Sequence, residues 1–277
     1  MTHQLSITTD YCKDLGCPEP YLKKISKAGF THVHWCHQWD TDFIYSKSEI
    51  SQIAIWLKKY NLKVLDLHAS DGKEKNWVSL TEHKRKIGVE LVKNRIYMAN
   101  KLSCGVIILH FQREPNKGSE KKKYWEVLYK SLDELQLYAK KYNVKIALEN
   151  YENEDCCEIK KLLSEYNSDF LGLCYDSGHG NIGNGLKILE ELRNRLISIH
   201  LHDNDGKTDE HKLLFSGTTD WDKLAQIIAR SSYKNCISME VNMKNSNISN
   251  ESIFLSEAYE NGLKFTKMVR GYSCGNL

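Results

Sequence analysis

Eight short apolar runs alternate with longer amphipathic stretches along the 277 residues of this chain. The runs are rich in Ile, Val and Leu, which is typical of buried strands. They predict strands at Leu5–Thr8, His32–Trp35, Lys63–His68, Gly105–His110, Val144–Glu149, Phe170–Tyr175, Leu196–His202 and Cys236–Val241. A strand followed by a helix, repeated eight times, is the pattern of a (β/α)8 barrel.

The amphipathic stretches predict the helices of the same barrel, which are Glu19–Ala28, Ser48–Tyr60, Thr81–Leu102, Glu120–Lys141, Cys156–Tyr166, Gly185–Arg193, Trp221–Arg230 and Asn250–Val269. The segment Ser79–Glu82 has the spacing of a capping box and predicts a helix start. The predicted fold class is therefore α/β, with one domain over residues 1–277 forming a single (β/α)8 TIM barrel. A doubly wound open sheet is the alternative, but no G-x-G-x-x-G motif follows the first strand.

The composition of the chain is that of an ordinary globular protein. Apolar residues make up 41% and charged residues 27% of it, enough to bury a large core. The formal net charge of +3 is too small to predict nucleic-acid binding from electrostatics alone. The nine cysteines include no C-x-x-C pair, so we expect free thiols in a reducing cytosol and a cytoplasmic location. No run of about 18 apolar residues predicts a membrane span.

Histidine and carboxylate side chains stand at the carboxyl ends of the predicted strands, where a barrel carries its active site. In chain order they are His68, His110, Glu149, Asp176, His179, His200, His202 and Glu240. A carboxylate that closes an apolar run is costly to bury without a partner. The recurrence of such residues on consecutive strands predicts a functional site rather than isolated structural residues.

The richest stretch is Ile199–His211, with the sequence IHLHDNDGKTDEH. His200 and His202 are two residues apart, so we expect both side chains on the same face of the seventh strand. Asp209 and His211 follow in the loop. Neutral imidazole combined with carboxylate is a preferred ligand set for Zn2+ or Mn2+. This stretch therefore predicts a metal site at the mouth of the barrel.

The motifs ALEN, YDSGH, HLHDND, D-x-H and SMEVN together resemble those of the xylose isomerase-like TIM barrels. That superfamily contains sugar isomerases and epimerases as well as endonuclease IV, and the resemblance spans nearly the whole chain. In its ketose 3-epimerase-like members, one divalent metal is held by Glu, Asp, His and Glu. The resemblance implies that the metal ligands here are Glu149, Asp176, His202 and Glu240. It also implies that Glu149 and Glu240 form the catalytic acid/base pair.

Endonuclease IV-like members hold three zinc ions with further ligands. The residues that match or adjoin those positions imply a second metal site or substrate contacts, and they are His68, His110, His179, His200, Asp209 and His211. In the epimerase-like members, His179 matches a histidine that contacts the substrate. The sequence departs from both groups. The epimerase-type arginine after the seventh strand is missing, with Lys207 the nearest cation, and the Gly-rich, His-containing opening of the nucleases is not found.

The second strand and its loop carry the sequence THVHWCHQWDTDF, which crowds aromatic side chains into one segment. Trp35, His37 and Trp39 at a barrel mouth suit a wall that stacks on the apolar face of a sugar or hydrogen-bonds to its hydroxyl groups. Lys207 is a further candidate for substrate binding. A packed aromatic rim without a ligand is the alternative interpretation.

The predicted function is a divalent-metal-dependent sugar, or sugar phosphate, isomerase or epimerase that transfers a proton through an enediolate. One imidazole with three carboxylates suits Mn2+, Zn2+ or Co2+, with Mg2+ a further candidate. The expected partner is a small-molecule sugar rather than a membrane or nucleic acid, and homo-oligomer formation is left open. The alternatives are an endonuclease IV-like phosphodiesterase acting on abasic DNA, a dehydratase-type lyase acting on a sugar or inositol derivative, and a metal-binding protein without catalysis.

Overall fold

Eight parallel strands form the centre of this computed structural model, which describes residues 4–12, 16–110, 113–115, 118–152 and 155–274. The strands are β1 Leu5–Thr8, β2 His32–Trp35, β3 Lys63–His68, β4 Val106–Leu109, β5 Lys145–Glu149, β6 Leu171–Asp176, β7 Leu196–His200 and β8 Ile237–Met239. Every predicted strand is therefore confirmed, with its ends displaced by two residues or fewer. The apolar runs form strands because nearly all of their residues are buried, whichever face they occupy.

The strands close into a ring. Their order is β7-β6-β5-β4-β3-β2-β1-β8, with each strand parallel to its neighbour. Just beyond the end of β7, Leu201 forms a parallel bridge with Met239 of β8. The Leu201 amide donates to the Ser238 carbonyl at 3.0 Å, and the Glu240 amide donates to the Leu201 carbonyl at 3.0 Å. These bonds join the two ends of the sheet and confirm the (β/α)8 barrel.

Helices surround the ring. They are α1 Glu19–Lys27, α2 Lys47–Lys59, α3 Glu82–Lys101, α4 Gly118–Tyr142, α5 Cys157–Glu165, α6 Ser177–Ile182, α7 Gly185–Leu192, α8 Trp221–Ala229 and α9 Glu251–Cys274. All except α6 correspond to a predicted helix. The α6 helix has only six residues, too few to show helical periodicity. It begins directly after β6, where the Asp176 side chain accepts a hydrogen bond from the His179 amide at 2.7 Å.

The capping box predicted at Ser79 is wrong. The α3 helix begins after Thr81, whose side chain makes no capping hydrogen bond, and the Ser79 hydroxyl accepts from the Thr81 amide at 3.3 Å. A capping box forms instead at α2, where Ser46 Oγ accepts from the Glu49 amide at 3.2 Å and Glu49 Oε2 accepts from the Ser46 amide at 2.7 Å. The S-x-x-E spacing at residues 79–82 therefore spans the turn that precedes the helix and the first helical residue, Glu82.

Apolar side chains fill the layer between the ring and the helices. On α4, the side chains of Leu128, Leu132 and Leu135 are fully buried. Each such leucine contributes about 1.5–3 kcal/mol by its removal from water. The cysteines whose side chains are described are all free thiols. Within the described ranges, we find no helix with both the length and the apolar character that crossing a bilayer requires.

The inside of the barrel is polar just below its carboxyl end. His34 on β2 and Asp66 on β3 are fully buried and paired, with 2.7 Å between Nδ1 and Oδ1. The Ser198 hydroxyl on β7 donates to the other oxygen of Asp66. Burial opposes ionisation of this carboxyl, but the neighbouring His34 imidazole lowers the pKa of Asp66. This polar layer lies directly under the side chains at the mouth, where the His34 ring packs against His200 with 4.0 Å between ring centroids.

Candidate metal centre

Four side chains from consecutive strands meet at the carboxyl end of the barrel. Glu149 ends β5, Asp176 ends β6, His200 ends β7 and Glu240 follows β8. One donor atom from each lies within 4.8 Å of one donor atom from every other. Parallel strands bring these residues together because all of them end at the same edge of the sheet. The group contains three carboxylates and one imidazole.

The two glutamates face the same imidazole nitrogen. His200 Nδ1 lies 2.8 Å from Glu240 Oε2 and 3.0 Å from Glu149 Oε2. The angles do not suit hydrogen bonds, so these three buried atoms have no hydrogen-bond partner within the described part of the chain. Buried polar atoms without partners are costly, and three adjacent carboxylates repel one another. A divalent cation would satisfy all of these atoms, so the residues present fit the metal that the motifs imply.

The electrostatics also suit a cation. Burial opposes ionisation of Glu149, but the charges of His110 and His200 outweigh it and hold the pKa of its carboxyl well below its usual value. Burial has the same effect on Glu240, and there His200 and His68 lower the pKa. Both carboxylates are therefore ionised at neutral pH, the state in which they bind metal.

His202 does not join the four-residue group, although the sequence predicts it there as the metal-ligating imidazole. Its Nε2 contacts Asp176 Oδ2 at 3.0 Å, and its ring stacks on His211 with 4.0 Å between ring centroids. The β7 strand ends at His200, so the side chain two residues later lies farther along the barrel axis. His200 occupies the position beside the three carboxylates.

A second ligand group forms next to the first. Donor atoms of His202, Asp209 and His211 lie within 4.8 Å of one another. Asp209 Oδ2 is 2.9 Å from His211 Nε2 and 3.6 Å from His179 Nε2. Burial acts to lower the pKa of His211, but the hydrogen bond to Asp209 raises it to about 10. Three of the six residues predicted for a second site, His179, Asp209 and His211, are thus brought together.

The remaining predicted histidines line the opposite side of the mouth. His110 Nε2 lies 3.3 Å from Glu149 Oε1, and His68 Nε2 lies 3.5 Å from Glu240 Oε1. Each glutamate therefore directs one oxygen towards His200 and the other towards a histidine on the β3–β4 side. This arrangement makes both glutamates suitable as bridging ligands.

The predicted aromatic wall is only partly present. Trp39 stacks on His68, with 4.9 Å between ring centroids and 27° between planes, so it covers the mouth. Trp35 is fully buried, and its indole nitrogen donates to the Tyr45 hydroxyl at 3.2 Å. Since His34 points into the barrel, its neighbour Trp35 points outward towards the helices and not into the mouth. His37 is partly buried and Lys207 is exposed.

The family model described as Xylose isomerase-like TIM barrel matches residues 22–267 of the chain. The chain belongs to this family. It is 31% identical over 279 residues to uncharacterized protein y4fM of Sinorhizobium fredii, with 90% of this chain and 88% of y4fM covered. The family resemblance inferred from the strand-end motifs is therefore confirmed.

Solved structures show the same xylose isomerase-like fold. A D-tagatose 3-epimerase-like protein superposes with a TM-score of 0.77 at 21% identity, covering 97% of this chain and 98% of that one. The structure of IOLI protein with a binding zinc atom gives a TM-score of 0.72 at 17% identity, covering 97% of this chain and 99% of that one. At these identities the likeness concerns the fold.

Three residues at or beside the site are not predicted as site residues from the sequence. Asp66 lies inside the apolar run VLDLH, and an acidic residue within an apolar strand is the only feature of the sequence that could have indicated it. Cys36 is buried beside the mouth after β2. Asp203 is fully buried, and its carboxylate accepts hydrogen bonds from the Asn204, Gly217 and Thr219 amides and from the Trp221 indole at 2.9–3.1 Å. Asp203 thus fixes both ends of the loop that carries Asp209 and His211.

Proposed function

We propose that this chain is a divalent-metal-dependent isomerase or epimerase of a sugar or sugar phosphate, working by proton transfer through an enediolate. The observation that carries the proposal is the placement of Glu149 and Glu240 on β5 and just after β8, with His200 Nδ1 between their carboxylates at 3.0 and 2.8 Å. Two bases that approach a shared position from separate strands suit the removal of a proton on one side and its return on another.

The metal is proposed at the group formed by Glu149, Asp176, His200 and Glu240. A divalent ion there would polarise the carbonyl of a bound sugar and increase the acidity of the neighbouring carbon. Mn2+, Zn2+ and Co2+ suit three carboxylates and one imidazole, and Mg2+ remains a candidate. His202 is proposed to hold Asp176 in place rather than to bind this ion, because it contacts that carboxylate directly.

The glutamates supply the proton transfer in this proposal. Since the pKa values of Glu149 and Glu240 are both held low, each is ionised and ready to accept a proton from carbon. The ionised glutamate on one face takes the proton from carbon. The other glutamate takes up a proton from solvent water and returns it to the opposite face or to the adjacent carbon, and the first then releases its proton to solvent. Return to the opposite face of the same carbon gives epimerisation, and return to the neighbouring carbon gives isomerisation.

A cavity of about 790 Å3 beside this mouth provides room for a sugar. It is lined by residues that follow β1 and β8, among them Asp10, Cys12 and Asn242. Its volume is within the range of small-molecule sites. Trp39 on the other side of the mouth offers an aromatic face for a sugar ring. The similarity to a D-tagatose 3-epimerase-like protein and to zinc-binding IOLI protein also supports a sugar substrate and a divalent ion.

An endonuclease IV-like phosphodiesterase is the second candidate, favoured by one observation. The group of His202, Asp209 and His211 offers another cation position directly beside the first, because His202 contacts Asp176. Phosphodiester hydrolysis uses two or three close metal ions to activate water and stabilise the leaving oxygen. A sugar isomerase needs only one of these positions for its proton transfer.

The test is hydrogen exchange in deuterated water, followed by NMR, with ketoses, aldoses and their phosphates as substrates. Protein loaded with Mn2+, Zn2+ or Co2+ should introduce deuterium at the carbon next to the carbonyl of one sugar class and leave abasic duplex DNA intact. Cleavage of the abasic duplex, with no exchange into any sugar, would replace the proposal with the phosphodiesterase.

A further inference from the structure

A third group of potential ligands lies on the β2–β3 side of the barrel mouth and includes a cysteine. Donor atoms of His34, Cys36, His68 and Glu240 lie within 4.8 Å of one another. The first two come from β2 and the residue just after it, His68 ends β3, and Glu240 follows β8. Three of these side chains are buried, and Glu240 is nearly so. The group is therefore enclosed by the barrel and is not a cluster of surface residues.

His34 has the arrangement of a histidine prepared to bind a metal. Its Nδ1 is held by Asp66 Oδ1 at 2.7 Å, whereas its Nε2 is buried and has no hydrogen-bond partner within the described residues. Metal-binding histidines commonly donate one ring nitrogen to a carboxylate, which orients the ring and leaves the other nitrogen for the ion. Leaving Nε2 buried and unpaired is costly unless something binds to it.

The other two buried members are also held in place. His68 Nδ1 is a second buried nitrogen without a hydrogen-bond partner among the described residues, and the Trp39 ring stacks on this imidazole. Cys36 is fixed through its backbone, because its amide donates to Thr9 Oγ1 at 3.0 Å. Cys36 Sγ lies 3.1 Å from Thr8 Oγ1, and the Thr8 hydroxyl also contacts the Asp10 carboxylate.

Glu240 connects this group to the metal centre proposed above. Its Oε2 lies 2.8 Å from His200 Nδ1, and its Oε1 lies 3.5 Å from His68 Nε2. The two oxygens of one carboxylate therefore face two separate sets of ligands. Bridging carboxylates of this kind are suited to sites that hold two metal ions close together.

We propose that His34, Cys36, His68 and Glu240 bind a second divalent ion through a thiolate, two imidazoles and one carboxylate oxygen. This set favours Zn2+, because thiolate ligands select Zn2+ over the harder Mn2+ and Mg2+. Binding releases the thiol proton to solvent. The inference rests on the proposed function only because Glu240 belongs to both ligand groups. With both groups occupied, Glu240 would connect two metal ions and the centre would be binuclear.

The experiment is reconstitution of the purified, metal-depleted protein with Co2+, which binds at zinc sites and gives an intense near-ultraviolet absorption when a thiolate is a ligand. Wild type should show this absorption, and Cys36→Ser should lose it together with about one equivalent of bound Co2+. Cys104→Ser and Cys174→Ser are the matched controls. Both are buried cysteines outside the proposed ligand set, so both variants should retain the absorption. Cys174 also interacts with His200, so its variant tests whether that thiol supplies the sulfur ligand instead.

X-ray absorption at the zinc edge of the wild-type protein provides a measurement that needs no variant. Loaded to two equivalents, the protein should contain one sulfur neighbour at about 2.3 Å from half of its zinc. Zinc surrounded only by nitrogen and oxygen would overturn the inference, as would a thiolate absorption that persists in Cys36→Ser or disappears in Cys174→Ser.

A further variant separates this inference from the proposed function. Asp176→Asn alters the first metal centre and does not touch the cysteine group, so it should reduce sugar hydrogen exchange while the thiolate absorption remains. If the absorption is present but no sugar undergoes exchange, the proposed function fails and the cysteine-containing site stands. If sugar exchange proceeds with one bound ion and without the thiolate absorption, the proposed function stands and the cysteine-containing site is refuted.

Discussion

Asp176 and His202 are in direct contact, with His202 Nε2 at 3.0 Å from Asp176 Oδ2. Asp176 belongs to the ligand group at the ends of β5 to β8, and His202 belongs to the group around Asp209. The same Asp176 carboxylate caps α6 by accepting a hydrogen bond from the His179 amide. One side chain therefore links both ligand groups and the helix that carries His179, so a change in one group is expected to affect the other.

The contact between Asp176 and His202 predicts that replacing His200 and replacing His202 will weaken metal binding to different extents. His200→Gln removes a direct ligand of the proposed metal, so it should lose most of the binding. His202→Gln acts through Asp176 and should weaken binding by about 10- to 100-fold, the usual effect of changing a residue that supports a ligand. Competition with a chromogenic chelator measures both affinities. Loss of the ion from His202→Gln but not from His200→Gln would restore the assignment that the motifs imply.

Metal binding should also stabilise the fold, because the clustered carboxylates repel one another without a cation. An ion at 100 times its dissociation constant adds about 2.7 kcal/mol to the free energy of unfolding. Thermal melts with and without Mn2+ measure this increment, and Asp176→Asn should lose most of it. Asp169→Asn is the control, since Asp169 is an exposed residue before β6. An equal increment in both variants would place the stabilising ion elsewhere.

Asp203 should be a major determinant of stability in the loop after β7. Its two oxygens accept four hydrogen bonds in a fully buried setting. Asp203→Asn keeps the shape but turns an NH2 group towards donors, so we expect a loss of about 3 kcal/mol in the free energy of unfolding. Urea denaturation measures the loss.

Asp205→Asn is the matched control for Asp203→Asn in the same loop. Asp205 accepts hydrogen bonds from the Lys207 and Thr208 amides at 2.8 and 3.0 Å, but it is exposed to water, which can replace them. Its replacement should change stability little. Equal losses for the two variants would mean that burial does not determine the importance of Asp203.

The sequence predicts the barrel well because its signals are repeated and local. Each strand is an apolar run of three to six residues, and each run is buried by the helices around it. The short α6 helix is the exception. It depends on Asp176 as its N-cap and on tight packing of Gly178 and Gly180 against neighbouring side chains, and neither of these produces a periodic pattern.

The candidate site is predicted less completely, because strand periodicity gives the face of a residue but not its depth. His200 and His202 share a face, and the choice between them depends on where β7 ends relative to the carboxylates of β5, β6 and β8. The error for Trp35 is different. Side chains alternate faces along a strand, so Trp35 and its neighbour His34 cannot both point into the barrel, and the prediction places Trp35 at the mouth without applying this rule. Asp66 could have been recognised, since an acidic residue inside an apolar strand requires a buried partner.

Gly178 should be intolerant of any side chain, because the His202 ring lies against it. A Cβ at this position would stand 1.8 Å from His202 Cε1. Gly178→Ala should therefore displace His202, lower stability by about 1–3 kcal/mol and weaken binding at the group around Asp209. Calorimetry and metal titration measure these effects. Gly105→Ala, where a Cβ meets open space, should have neither. A fully stable Gly178→Ala variant with unchanged metal binding would refute this packing.

The two glutamates of the proposed centre should differ in function from Asp176 and His200. Glu149→Gln and Glu240→Gln each keep a ligating oxygen and nearly the same shape, so each should retain much of the metal. Both lose the ability to take a proton from carbon, a function worth about 100- to 10,000-fold in rate. Deuterium exchange into the sugar, followed by NMR, should therefore be nearly silent in each variant, while the exposed control Glu126→Gln exchanges like wild type. If both glutamine variants bind metal normally and exchange at the wild-type rate, the acid/base work belongs to another group, with His179 and His200 the next residues to replace.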